Sequence, residues 1–252
     1  MTLVALHGFT GAPASWAYVL ERLRAREPHG PGPTVLAPFL AGHGPRPVRV
    51  EGFEDEVYRL CELVRDRAEP PVHLAAYSMG ARVALALLTE CPDLFERATL
   101  IGARDGLADP TERRQRGEWE RRWITLLETK GLSAFLESWE ALPLWETQHD
   151  APAERLAAQR SIRESHTPDG LAHAVAVLGL AAMPALADRL GKVDAEVTLM
   201  TGSLDPKFDR LAEPLERLIP RCRRLTVDGA GHNLLLERPD AVASALNRDG
   251  SG

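Results

Sequence analysis

Apolar positions along the 252-residue chain alternate between two periods. Short β-prone runs occur at Thr2–Leu6, Thr34–Ala37, from Val72 to Tyr77, at Ala98–Ile101, Ala195–Thr201 and Arg224–Val227. Between them the spacing becomes helical. Trp16, Val19, Leu20 and Leu23 share one stripe within Ser15–Arg24, and Phe53, Val57, Leu60, Cys61 and Val64 share another within Phe53–Arg67, which Pro70-Pro71 ends. Pro28 to Pro33 is a Pro/Gly breaker, and the tail from Asn247 reads as frayed. An almost wholly apolar helix follows Ser78 and closes at Pro92, and further helices read at Leu211–Ile219 and Pro239–Leu246. This alternation predicts an α/β fold: a mostly parallel, doubly wound sheet flanked by helices, with ligands at the carboxyl ends of its strands.

The alternation stops after Gly102. Thr111–Thr129, Leu132–Leu142, Ala153–Glu164 and Asp169–Leu178 all read as helical, with no strand among them. The expected organisation is a core of residues 1–103 and 190–252, with residues 104–189 inserted as a helical lid over the strand ends.

Composition narrows the function classes. Apolar residues at 44% and charged residues at 26% are ordinary for a globular protein. The formal net charge of -6 supplies no general field for nucleic acid or anionic membrane, so any anion site must be local. No apolar run approaches the roughly 18 residues of a membrane span, and Met1 leads straight into a strand without a basic leader, so a cytoplasmic protein is expected. Cys61, Cys91 and Cys222 are widely spaced and form no Cys-x-x-Cys pair; they read as buried thiols of a reducing compartment. No metal or cofactor is expected, and nothing in the chain speaks for an oligomeric state.

The candidate chemistry centres on Ser78, where a strand turns directly into a helix between Ala76 and Gly80. A turn this sharp needs small residues two before and two after the serine, the pattern of a nucleophile elbow, although Ala76 takes the place of the usual first glycine. The loop His7-Gly8-Phe9-Thr10-Gly11 after the first strand offers backbone N–H groups, so Phe9 (or Thr10) and Met79 are the expected oxyanion donors. His232, in a Gly-x-Gly-His turn after a late strand, is the expected base. Asp205, on the loop after Thr201, is favoured over Asp105 as its acid partner. The order Ser, Asp, His is that of the α/β-hydrolase triad.

Several stretches make the chain resemble one family more specifically: residues 6–11, Tyr77-Ser78-Met79-Gly80-Ala81-Arg82, residues 112–123, residues 135–145, residues 159–161 and 165–174, and residues 202–208 and 229–232. They resemble the α/β-hydrolase-fold 2-succinyl-6-hydroxy-2,4-cyclohexadiene-1-carboxylate synthases of menaquinone biosynthesis. The resemblance implies a 2,5-elimination of pyruvate from a cyclohexene bearing several carboxylates, with the triad serine removing a ring proton. It implies a small anionic substrate bound by Arg82, Arg116, Arg121 and Arg160, with Tyr77, Trp139 and the Gly8-Phe9 turn completing the pocket. Arg113, Arg114 and Arg122 keep the reading of a solvated helix face. Gly102-Ala103-Arg104-Asp105-Gly106 departs from the more usual Ser/Pro/Gly turn of such chains. A carboxylic-ester or thioester hydrolase and a non-catalytic binding relative are the competing readings.

Overall fold

The computed structural model describes residues 1–26 and 32–247; most of the Pro28–Pro33 breaker and of the tail lies outside them. Six strands, β1 (Thr2–Leu6), β2 (Thr34–Leu36), β3 (Val72–Tyr77), β4 (Arg97–Ile101), β5 (Glu196–Gly202) and β6 (Cys222–Val227), form one sheet in the order β2-β1-β3-β4-β5-β6. Every pairing is parallel. β1 and β3 are buried throughout, which is why they read as mainly apolar runs, with Thr2 and His73 as buried polar exceptions, whereas the edge strand β6 is only partly covered. The chain passes from β1 outward to β2 and then back across β1 to β3. The order therefore reverses between β1 and β3, where sheets of this kind place their ligands.

Helices cover both faces. α2 (Phe53–Arg67) and α3 (Met79–Glu90) bury Leu60, Val64, Leu85 and Leu88 against one side, joined by α7 (Pro206–Leu218) through Leu215. α1 (Ala17–Arg26), α8 (Leu234–Glu237) and α9 (Pro239–Leu246) bury Val19, Leu234 and Val242 against the other. α2 carries Glu54, Asp55 and Glu56 in its first turn and Arg65 and Arg67 in its last, a charge order that suits the helix dipole. Sequence and structure agree on its two ends. α7 instead starts five residues before the periodic stripe at Leu211, because Asp205 caps it and Pro206 occupies its first position.

Cys61 and Cys91 correct the expectation of free thiols. They form a disulfide between α2 and the end of α3, with Cα atoms 6.5 Å apart, leaving Cys222 free. Spacing along the chain cannot reveal that two helices packed side by side bring these residues together, and the pairing removes the basis for assigning a reducing compartment.

The segment between β4 and β5 holds α4 (Pro110–Glu140), α5 (Ala153–Glu164) and α6 (Pro168–Leu178). Asp109 caps α4 by accepting from the N–H groups of Thr111 and Glu112, at 2.7 and 2.8 Å. Gly131, at φ 76°, breaks α4 where the sequence pattern separates two helices. Leu127, Phe135, Leu136, Trp139, Trp145 and Leu171 give these helices a small core of their own. The two ends of the segment meet: the Leu186 N–H donates to the Asp105 carbonyl at 2.8 Å. Gly106 there adopts φ 97°, and a Cβ on it would lie 2.4 Å from the Pro184 carbonyl oxygen. Among the described residues no helix is long and apolar enough to cross a membrane.

Candidate active site

Ser78 sits between β3 and α3 at φ 53°, ψ -109°, a conformation that side chains rarely adopt. Its N–H donates to the Ile101 carbonyl of β4 at 2.8 Å, and its own carbonyl accepts from Arg82 N–H at 3.1 Å, so the strained turn is tied at both ends. The small neighbours are needed for approach. A Cβ on Gly80 would lie 2.5 Å from the His7 carbonyl oxygen and 2.7 Å from that of Leu6, so only glycine lets α3 start this close to β1. A Cβ on Gly8 would lie 2.8 Å from the Tyr77 ring and 3.4 Å from Ser78 Cβ, which places the Gly8-Phe9 turn directly beside the serine.

His7 fixes that turn. The Leu40 N–H donates to its Nε2 at 3.1 Å, so Nδ1 carries the ring proton and donates to the Gly8 carbonyl at 2.8 Å. Burial lowers the His7 pKa to about 4, which keeps the ring neutral and this tautomer intact. The Gly8 carbonyl also accepts the Gly11 N–H at 3.0 Å, which holds the turn closed. The N–H of Met79 opens α3 and has no acceptor within the helix.

His232 and Asp205 complete a hydrogen-bonded chain. His232 Nε2 lies 3.0 Å from Ser78 Oγ, and Nδ1 lies 2.7 Å from Asp205 Oδ2. Asp205 also accepts the Phe208 N–H at 3.3 Å, and both it and His232 are buried. The Nδ1 proton bound to a carboxylate leaves Nε2 as an acceptor for the serine hydroxyl proton. Glu237, in the short α8 that the sequence pattern does not resolve, accepts from the N–H groups of Gly231 and Asn233 on either side of the histidine, at 2.6 and 3.2 Å. The Phe208 ring lies 4.4 Å from the imidazole, tilted by 41°. Asp105 is elsewhere: its carbonyl serves the neck of the helical segment.

These groups open into a cavity of about 380 Å³ lined by Phe9, Tyr77, Ser78, Met79 and His232 from the core and by Arg116, Trp119, Trp123 and Trp139 from the helical segment. Arg82 joins them from α3. Burial, and after it the neighbouring Arg116, pulls its pKa to about 10, and its Nη1 has no partner. The Arg116 guanidinium lies 4.2 Å over the Trp119 ring, and its Nε donates to Glu120 at 2.7 Å. A Ser–His–Asp hydrogen-bonded chain beside the helix-opening Met79 N–H and a guanidinium is equipped to remove a proton and to hold the negative charge that results.

Residues 3–245 match the family described as Alpha/beta hydrolase family. The chain belongs to that family. This alpha/beta hydrolase is 30% identical over 241 residues, 94% of this chain and 85% of the relative, to a Bacillus subtilis (strain 168) protein provisionally named a 2-succinyl-6-hydroxy-2,4-cyclohexadiene-1-carboxylate synthase. It is 29% identical over 256 residues, 97% of this chain and 91% of the relative, to an Escherichia coli O7:K1 protein of that name without the proviso. MenH from S. aureus superposes with a TM-score of 0.90 at 24% identity, covering 98% of this chain and 91% of that one. A thermophilic esterase from Thermogutta terrifontis, also 24% identical, gives 0.80 over 98% and 88%. At that identity the two structures speak for the fold alone.

Within this hydrolase the expected arginines part company. Arg82 and Arg116 reach the cavity. Arg121 does not: five residues after Arg116, it falls on the exposed side of α4. Arg160 does not either. It pairs with Glu140 at 2.6 Å and with Glu164 at 2.7 Å, on the outer side of α5. Arg163, one turn further on, is the buried one. It donates to Glu140 at 2.9 Å, sits 5.6 Å from the Trp145 ring, and lines an adjoining cavity of about 310 Å³ that shares Phe9, Tyr77 and Trp145 with the first. Arg113 is not a solvated charge, since it donates to the carbonyls of Leu107 and Met183 and straps the start of α4 to the end of the segment. Glu120, which the sequence pattern does not single out, is buried and accepts from the N–H groups of Leu180 at 2.7 Å and Ala181 at 3.1 Å as well as from Arg116.

Proposed function

We propose that this alpha/beta hydrolase is a 2-succinyl-6-hydroxy-2,4-cyclohexadiene-1-carboxylate synthase, a carbon–oxygen lyase of menaquinone biosynthesis. Its substrate is 2-succinyl-5-enolpyruvyl-6-hydroxy-3-cyclohexene-1-carboxylate. The observation that carries this reading is the half-buried Arg82, which makes no ion pair among the described residues and whose buried Nη1 has no hydrogen-bond partner, facing the same cavity as Ser78. A pocket built for neutral esters has no use for an unpaired guanidinium, whose desolvation costs several kcal/mol unless an anion joins it. The names of the relatives agree with it.

In this reading His232 Nε2 takes the Ser78 proton, Asp205 stabilises the imidazolium, and Ser78 Oγ removes the ring proton beside the succinyl ketone. The C–H electrons form the new ring double bond, the existing double bond shifts, and the C–O bond to the enolpyruvyl group breaks, releasing pyruvate as its enolate. Phe9 and Met79 N–H groups hold the oxygen on which charge develops. Arg82 and Arg116 bind carboxylates as guanidinium forks, and Tyr77, Trp139 and Gly8 shape the pocket.

Turnover of the pathway intermediate, followed by released pyruvate, tests the proposal beside hydrolysis of a short acyl ester. Ser78→Ala and His232→Ala each abolish most turnover, and the double variant is little worse than either. Asp205→Asn costs several orders of magnitude and Asp105→Asn little. Rapid ester hydrolysis without pyruvate release would establish the second reading, an esterase, which the aromatic cavity wall of Phe9, Trp139 and Trp145 favours.

A further inference from the structure

Arg104 belongs to none of the motifs that carry the family resemblance; it stands in the turn that departs from it. The structure half-buries its side chain in the wall of the Ser78 cavity, where it makes no ion pair among the described residues. Lys207, two residues after Asp205, reaches the same cavity from its exposed rim, also without an ion pair, its ammonium 5.9 Å from the Phe208 ring. Arg104 stands on the loop after β4 and Lys207 in the first turn of α7, which follows the adjacent strand β5, whereas Arg82 and Arg116 stand on α3 and α4.

The four cations sense one another. After burial itself, Arg116 and then Arg104 lower the basicity of Lys207, and both also act on Arg82. Among the described residues the carboxylates nearby make no ion pair with Arg104 or Lys207. Glu120 holds Arg116 and two backbone amides, and Asp205 holds His232. Burial lowers the Arg104 pKa against the opposing pull of Glu112 and Asp105, and burial pushes the Asp105 carboxyl up. In a chain of net charge -6, three cations without ion pairs around one cavity repel one another until an anion enters.

We infer that Arg104 and Lys207 form a second anion-binding subsite at the rim of the cavity, which holds an additional substrate carboxylate and selects tricarboxylates over dicarboxylates. The inference rests on the anionic-substrate reading above and adds to it a specificity residue particular to this chain.

Titration calorimetry of the full chain with tricarballylate and with succinate tests it. The wild type binds tricarballylate about ten-fold more tightly than succinate. Arg104→Ala and Lys207→Met each remove that ratio and change succinate affinity less than about two-fold, whereas Arg82→Ala weakens both acids and preserves the ratio. Arg104→Gln, with its melting temperature recorded, guards against a folding defect, and Arg122→Ala, exposed on α4, leaves the ratio unchanged. The inference is overturned if the wild type shows no preference, if Arg104→Ala keeps the ratio, or if it weakens both acids equally. Absence of pyruvate release would sink the proposed reaction and leave these ratios standing, so the two failures are separable.

Discussion

Replacing Glu120 by alanine should loosen the helical segment before the core. The carboxylate is buried and carries three donors: Leu180 N–H, Ala181 N–H and Arg116 Nε. Its removal leaves the buried Leu180 N–H without a partner, which costs about 1–3 kcal/mol. Ala181 is partly exposed and recovers water, and the Arg116 side chain is 31% exposed, so each adds at most about 1 kcal/mol. The expected loss is about 2–4 kcal/mol, confined to the contact between α4 and the end of α6. The tryptophans make it visible. Four of the five, Trp119, Trp123, Trp139 and Trp145, lie in this segment, with adjacent ring centroids 5.4–5.7 Å apart, and only Trp16 is in the core. In urea the wild type unfolds with coincident tryptophan-fluorescence and far-ultraviolet circular-dichroism transitions. In Glu120→Ala the fluorescence transition moves to lower urea and separates from the other. Coincident transitions at the wild-type midpoint would refute the clamp, and coincident transitions at a lower midpoint would show that segment and core unfold as one unit.

Other perturbations act on the core. Gly80→Ala drives a methyl into the His7 and Leu6 carbonyls and should cost about 1–3 kcal/mol by thermal melting, with turnover falling further because Ser78 and Met79 move with the helix start. Cys61→Ser with Cys91→Ser opens a disulfide of sequence separation 30 and should lower stability by about 3–4 kcal/mol in urea titrations while turnover at 25 °C stays unchanged. Acid should destabilise through the buried histidines: burial lowers His7 to about 4 and His73 to about 3, so the unfolded chain takes up protons below about pH 6.5 that the folded one refuses. Their contribution is full above pH 6.5 and falls by up to about 1.4 kcal/mol per histidine for each pH unit below it, read as the urea midpoint between pH 6.5 and 5.

Much of this molecule is legible in the chain because its strands are buried on both faces. A mainly apolar run such as Val72–Tyr77, leading into a serine set between the small residues Ala76 and Gly80, has few other readings, and the elbow and the late Gly-x-Gly-His turn point to Ser78 and His232 from the chain alone. Failures cluster where a charge changes meaning with its face. Arg116, Glu120, Trp123 and Leu127 share the inward stripe of α4, and Arg121 lies well off it. Helical arithmetic on the charged run separates them, whereas counting its arginines does not. Arg160 has Glu164 four residues on, the spacing of a solvated pair, and that signal distinguishes it from the buried Arg163. The Cys61–Cys91 bridge and the Glu237 clamp on the histidine loop depend on how separate elements pack, for which a single chain carries no local mark.

The hydrogen bond between Asp105 and Leu186 closes a neck, so the polypeptide leaves the sheet and returns to it at nearly one point. A segment joined in this way is a cassette. Shortening, lengthening or exchanging it leaves the spacing of β4 and β5 unstrained, and the entropy of closing a loop grows only slowly with its length. Ser78, Asp205 and His232 all lie outside the cassette, while Arg116, Trp139 and Arg163 lie inside it. Under the proposed reaction, proton transfer and recognition can therefore diverge independently in descent, and in this chain Gly106, where a side chain would strike the Pro184 carbonyl, lets the neck close.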